Sequence, residues 1–295
     1  MKKALIQLHI AVFLAGFTAV LGKLIGLNEG LLVWYRLLIT VIALWLLLYL
    51  TKSMQRVAVT DRFKILGVGV IVALHWVAFY GSIKYANISI AVTCLAAAGF
   101  FTALLEPILF RRRIDSIEAL LGLVSVIGIS VIFDFHPEYK KGIAFGIVSA
   151  LASAIFPIFN KKLVTRFDAR TLTLYELGGG LVGFSFILPF YLKLFPAAYY
   201  LPTFSDWVWL SILAIICTAL CFDLQLNALK KISAFTSTLT YNLEPVYGII
   251  LGFIIFHENK ELHPQFYIGV ALIILAVFLQ MMRIRAIHRK SINNW

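Results

Sequence analysis

The chain has 295 residues, of which 61% are hydrophobic and only 14% charged, and its formal net charge is +12. A soluble domain carries about a quarter charged residues, so composition excludes a water-soluble globule. A charge of this sign and size can mark a nucleic-acid binder, but its placement along the chain argues against that.

In chain order the apolar residues fall into ten runs, at about 5–26, 31–50, 63–82, 88–110, 117–133, 142–163, 172–193, 207–229, 233–256 and 264–282. Each is close to the ~20 residues a helix needs to cross a hydrocarbon layer. A backbone exposed to lipid must satisfy its own hydrogen bonds, so the runs are expected as helices. The first run follows Lys2 and Lys3 in the manner of a signal peptide. Its length and the lack of a cleavage site make it a retained first helix. No connecting segment is long enough to fold alone.

The charges orient these helices. With the N-terminus cytoplasmic, the inner segments hold 19 Lys and Arg, among them Lys52, Arg56, Arg62, Lys64, Arg111, Arg166, Arg170 and Lys230, and the outer ends hold six. That bias follows the positive-inside rule with both termini cytoplasmic. The basicity is therefore an orientation signal rather than a nucleic-acid surface. Cys94, Cys217 and Cys221 all lie within spans; three buried thiols build no disulfide framework, and their expected role is packing.

A repeat runs through the chain. Phe79–Ser89 can be laid over Gln225–Phe235, so that Lys84 meets Lys230 and Phe110 meets Phe256. With a slightly smaller shift, Trp34-Tyr35-Arg36 meets Leu174-Tyr175-Glu176. Residues 1–136 and 142–295 then form two five-helix halves. Five is odd, so the halves face opposite ways, the inverted repeat typical of secondary transporters. In this register Gly99 meets Pro245. Both weaken a helix at mid-depth in corresponding spans, which is the sequence pointer to a transporter's binding level.

Glu244 lies at the centre of the ninth run. A charge there costs at least ~2.5 kcal/mol on insertion scales. At about 100° per residue, Ser237, Tyr241, Glu244 and Tyr247 share one broad face. Glu244 either lines a polar cavity or locks two helices together. Arg36 and Glu176, each about one turn into its span, either gate or anchor a substrate or form a fixed ion pair or snorkel. An arginine fork suits a substrate carboxylate. His75 is expected to line the cavity or to bond a neighbouring helix, with Trp76 beside it and Gln225 near the repeat-related position. Tyr175, Phe100 and Phe101 complete the candidate lining. Asp223 and Asn227 are read as partners of Lys230 or Lys231.

Ten helices in two inverted repeats with cytoplasmic termini resemble the EamA-like family of the drug/metabolite transporter superfamily. The likeness rests on Tyr35-Arg36 opening the second span, Ser82-Ile83-Lys84-Tyr85-Ala86 and Ala228-Leu229-Lys230-Lys231-Ile232-Ser233 ending the third and eighth, and Leu243-Glu244-Pro245-Val246 in the ninth. The resemblance implies an all-α polytopic permease of the bacterial inner membrane, with a central cavity and alternating access. It further implies an exporter of amino acids or other small metabolites. No cofactor or metal is expected; the partners expected are a small-molecule substrate and the bilayer, with monomer and homodimer both open. No phosphate loop, His-Glu-x-x-His or Gly-x-Ser-x-Gly motif occurs, which disfavours a primary pump or an intramembrane enzyme. A membrane scaffold or sensor is the other alternative.

Overall fold

Apolar runs too long for a strand and bounded by polar residues become helices throughout the computed structural model, which describes residues 2–111, 115–135, 137–163, 166–229 and 243–293. The helices are α1 (Lys2–Leu24), α2 (Glu29–Leu50), α3 (Val59–Tyr85), α4 (Ile88–Leu95), α5 (Ala98–Leu109), α6 (Ser116–Phe135), α7 (Lys140–Leu163) and α8 (Ala169–Leu194). There follow α9 (Phe204–Ser211), a π-helical stretch over Ile212–Leu220, α10 (Cys221–Leu229), α11 (Glu244–Phe256) and α12 (Pro264–Asn293). Among the described residues, six helical stretches are long and apolar enough to cross a membrane, and shorter apolar helices lie at Ala119–Val131, Glu244–Phe256 and Pro264–Ala276. The protein is an all-helical, multi-pass membrane protein. Large apolar side chains such as Phe186 and Ile254 face outward, at 75% and 68% exposure, as a lipid-facing surface requires.

Two expected single spans are interrupted. The fourth is α4 followed by α5. Asn87 caps α4 by accepting from the Ile90 amide at 2.9 Å. The helix ends in i→i+3 bonds, Ala96 N–H to Thr93 O and Ala97 N–H to Cys94 O. The break thus falls at Ala96–Ala97 and Gly99 lies inside the first turn of α5, with open space where a Cβ would stand. The eighth span is α9, the π stretch and α10 in one line. Thr218 donates through Oγ1 to the carbonyl of Leu213, five residues back, at 2.8 Å. Pro245 occupies the first turn of α11, where its missing N–H leaves no helical bond unmade.

The first five spans pack on the last five. α3 lies on α7 and α8, α2 on α8 and the π stretch, α1 on α10 and α11, α4 on α7 and α11, and α6 on α12. Exchanging each span with the one five places along the chain leaves these pairings unchanged. The central core gathers Leu21, Leu32, Trp76, Tyr80, Leu177, Phe184 and Leu213 from both sets. A second cluster, including Cys94, Ile129, Ile143 and Phe266, joins α4, α6, α7 and α12.

Backbones touch where glycine allows it. A Cβ on Gly69 of α3 would stand 1.7 Å from the carbonyl oxygen of Glu176 on α8, and one on Gly180 would stand 2.6 Å from that of Gly69. Small residues replace hydrophobic burial as the means of close approach between membrane helices.

Candidate functional site

Arg36 projects from α2 about 10 Å along the helix from Glu29, seven residues at 1.5 Å each. It is only 4% exposed. Its Nε donates to Thr218 Oγ1 at 3.0 Å and its Nη1 to the Tyr80 hydroxyl at 2.7 Å. The guanidinium lies 3.7 Å from the centre of the Trp76 ring, in the geometry of a cation–π contact. Among the described residues Arg36 forms no ion pair, and its Nη2 donates to none of them. A buried arginine held only by neutral groups keeps a full positive charge in a medium that screens it poorly.

The surrounding elements set this arrangement. Tyr80 is fully buried, and its ring fits against α1 because residue 22 is glycine: a Cβ there would fall 2.3 Å from the ring. The wider turn of the π stretch carries Cys217 and Thr218 to the arginine. Thr40, one turn along α2, bonds across to the Ala214 carbonyl at 3.3 Å and so pins α2 to the same stretch. Such π segments occur frequently at functional sites. Glu244 opens α11 and lies within electrostatic range of Tyr80. Its carbonyl passes α1 at Gly16, where a Cβ would meet it at 3.2 Å. Tyr247 stands edge-on to Phe13, ring centres 5.8 Å apart.

Of the expected site residues, the structure therefore gathers Arg36, Trp76 and, across Tyr80, Glu244, with Tyr247 on the adjoining turn of α11. His75 lies within electrostatic range of Arg36 but turns its ring to α7, where its Nδ1 lies 2.9 Å from the Ser149 carbonyl and 3.0 Å from the Ser149 hydroxyl. The remaining residues lie elsewhere. Phe100 packs at Gly122 of α6, and Phe101 joins the second core cluster. Tyr175 packs near Val57, Ile65 and Leu172, under the Arg62 guanidinium at 5.7 Å. Glu176 is buried at the α3–α8 crossing. Ser237, Tyr241 and the side chain of Gln225 lie outside the described residues, as do Lys230 and Lys231. Asp223 pairs with Arg170 of α8; its expected partners Lys230 and Lys231 fall outside the described residues.

A polar seam closes the end of the bundle that carries Glu29. Glu258, fully buried in the turn after α11, accepts from Lys23 Nζ at 2.9 Å, the Ile88 amide at 3.0 Å, and the Ser89 amide and hydroxyl at 2.9 and 2.7 Å. It thereby caps α4 from the far half of the chain. Asp206 accepts from the Gly26 amide at 2.7 Å and from the Tyr199 hydroxyl at 2.8 Å. Burial, then that bond, push the Tyr199 phenol up to about 12, so it remains a neutral donor across the physiological range. Glu29 accepts from Tyr191 at 2.5 Å, and Lys84 donates to the Ile25 carbonyl at 2.8 Å. Sequence reasoning passed over Tyr80, Thr218 and Glu258. Only the Thr203–Asp206 spacing advertised its role, as a helix-opening box.

Comparison with known proteins shows a membrane transporter family. The model of the EamA-like transporter family matches twice, over residues 2–134 and 140–282. An uncharacterized transporter of Bacillus subtilis, YetK, is 26% identical over 95% of this chain and 87% of its own length. An uncharacterized transporter of Archaeoglobus fulgidus is also 26% identical, over 73% of this chain and 75% of its own. One crystal structure of a protein shares the fold with a TM-score of 0.61 at 17% identity, covering 94% of this chain and 96% of that one.

Proposed function

The chain belongs to the EamA-like transporter family, and from that premise we propose that it is a secondary carrier that exports small metabolites, amino acids foremost, by alternating access. The observation that carries this reading is Arg36, a buried guanidinium that among the described residues has only neutral partners and one nitrogen uncommitted, at the junction of α2, α3 and the π stretch. A substrate carboxylate would supply the missing counter-charge. Glu244, across Tyr80, is the acidic group available to a substrate amine or a proton. Together they suit a zwitterion.

The halves 1–136 and 142–295 act in this reading as inverted repeats that rock about the site. The exchange-invariant pairings between them support it. The Glu29 end faces outward and the Asp61 end faces the cytoplasm, in a bacterial inner membrane with both termini inside. The protein moves its substrate without covalent change. Uptake of labelled amino acids into proteoliposomes at two proton gradients tests this. The parent protein is expected to respond to the gradient and Glu244→Gln to lose that response. Transport of no amino acid at either gradient would contradict the substrate class.

A further inference from the structure

At the Asp61 end, α3 and α7 border an open cleft of about 610 Å3. Its walls are apolar, with Phe63, Gly67 and Ile71 on α3 and Phe159 on α7. Phe63 and Phe159 are 71% and 46% exposed. Beyond its chain neighbours and its own helix backbone, nothing lies within 4 Å of the place a Cβ on Gly67 would take, so the slot is open beside it. Residues 63 to 71 carry the cleft about 12 Å along α3, at 1.5 Å per residue. Its rim is basic: Lys64 and Arg166 both line it, with side chains 67% and 58% exposed.

Asp61 fixes this rim without neutralising it. Its carboxylate takes both nitrogens of the Arg166 fork, at 3.1 and 2.8 Å, and holds Arg166 against the mouth of the cleft. Lys64 stands 3.7 Å from the same carboxylate, leaving its ammonium free to turn outward. Among the described residues two cations face one anion, which leaves the rim positive over an apolar slot.

We infer that this cleft is a binding site for an anionic phospholipid, an acyl chain lying along Gly67 and the headgroup phosphate on Lys64 and Arg166. Basic pockets between helices on the cytoplasmic side select such lipids. The placement in the inner leaflet rests on the orientation proposed above, whereas the binding chemistry does not. The lipid bridges one helix of each half, α3 and α7, and so holds the two halves together at this end.

The test uses the full-length protein in detergent, with native mass spectrometry and thermal unfolding read against added phosphatidylglycerol, phosphatidylcholine and glycerol 3-phosphate. Phosphatidylglycerol is expected to bind and to raise the unfolding temperature; the other two are not. Lys64→Gln leaves the Arg166–Asp61 fork intact and is expected to weaken phosphatidylglycerol binding about fivefold, the effect of one cation at a lipid surface. Gly67→Leu projects into the slot from a position where a Cβ has open space and is expected to abolish binding while the bare protein unfolds at no lower temperature. Equal binding of phosphatidylcholine, an equal shift from glycerol 3-phosphate, or full binding by either variant would overturn the inference. None of these readouts depends on transport, so the site can fail or stand apart from the proposed function.

Discussion

Lysine in place of Arg36 keeps the charge and loses the fork. An ammonium on that stem cannot bond Thr218 and Tyr80 together while stacking on Trp76. Arg36→Lys is expected to weaken substrate affinity about tenfold, the loss of roughly 1.4 kcal/mol, and isothermal titration in detergent measures it. Tyr80→Phe removes one acceptor and leaves a buried guanidinium N–H unpaired, at a cost of about 1–3 kcal/mol. A lower unfolding temperature checks this, and added substrate carboxylate is expected to restore part of it. Arg36 and Glu244 were legible as charges because a charge inside an apolar run stands out. Tyr80 and Thr218 were not, since such residues recur in many spans, and Thr218 meets Arg36 across 182 positions of chain.

At the scale of the helix the α3–α8 crossing makes a paired prediction. Gly69→Ala drives a methyl into the Glu176 carbonyl, and no side-chain movement relieves a clash with backbone. It is expected to cost about 3 kcal/mol, the upper end of the usual cost of overpacking. Gly178→Ala, two residues from Glu176, meets nothing within 4 Å and gains up to about 1 kcal/mol in helix propensity. Thermal unfolding of both variants in one detergent separates them by sign. Hydropathy placed the helices well, because the length of an apolar run is set by the membrane itself. It could not place the interruptions. Gly99 marked the level of the break in the fourth span but not its position, since Ala96 and Ala97 just before it both favour helix, and the π stretch of Ile, Leu, Ala, Cys and Thr reads as ordinary helix. Nor does the run Gly178-Gly179-Gly180 reveal alone which glycine meets a neighbour.

At the scale of the molecule the seam around Glu258 joins the two halves of the chain. Glu258→Gln turns one acceptor into a donor facing Lys23 or the amides of Ile88 and Ser89, at a cost of about 2–4 kcal/mol. Hydrogen exchange at the start of α4 is expected to quicken in this variant while α6 and α12 keep their protection. Unchanged exchange there would leave the seam without a part in holding the halves. The central claim is that one site is exposed alternately to the two sides. Counterflow tests it most directly: proteoliposomes are loaded with an unlabelled amino acid that the protein transports, and entry of the labelled form is followed without any ion gradient. A carrier takes up label transiently above its equilibrium level, because internal substrate returns the site outward. Label that only rises to equilibrium, at a rate independent of the internal load, would contradict alternating access.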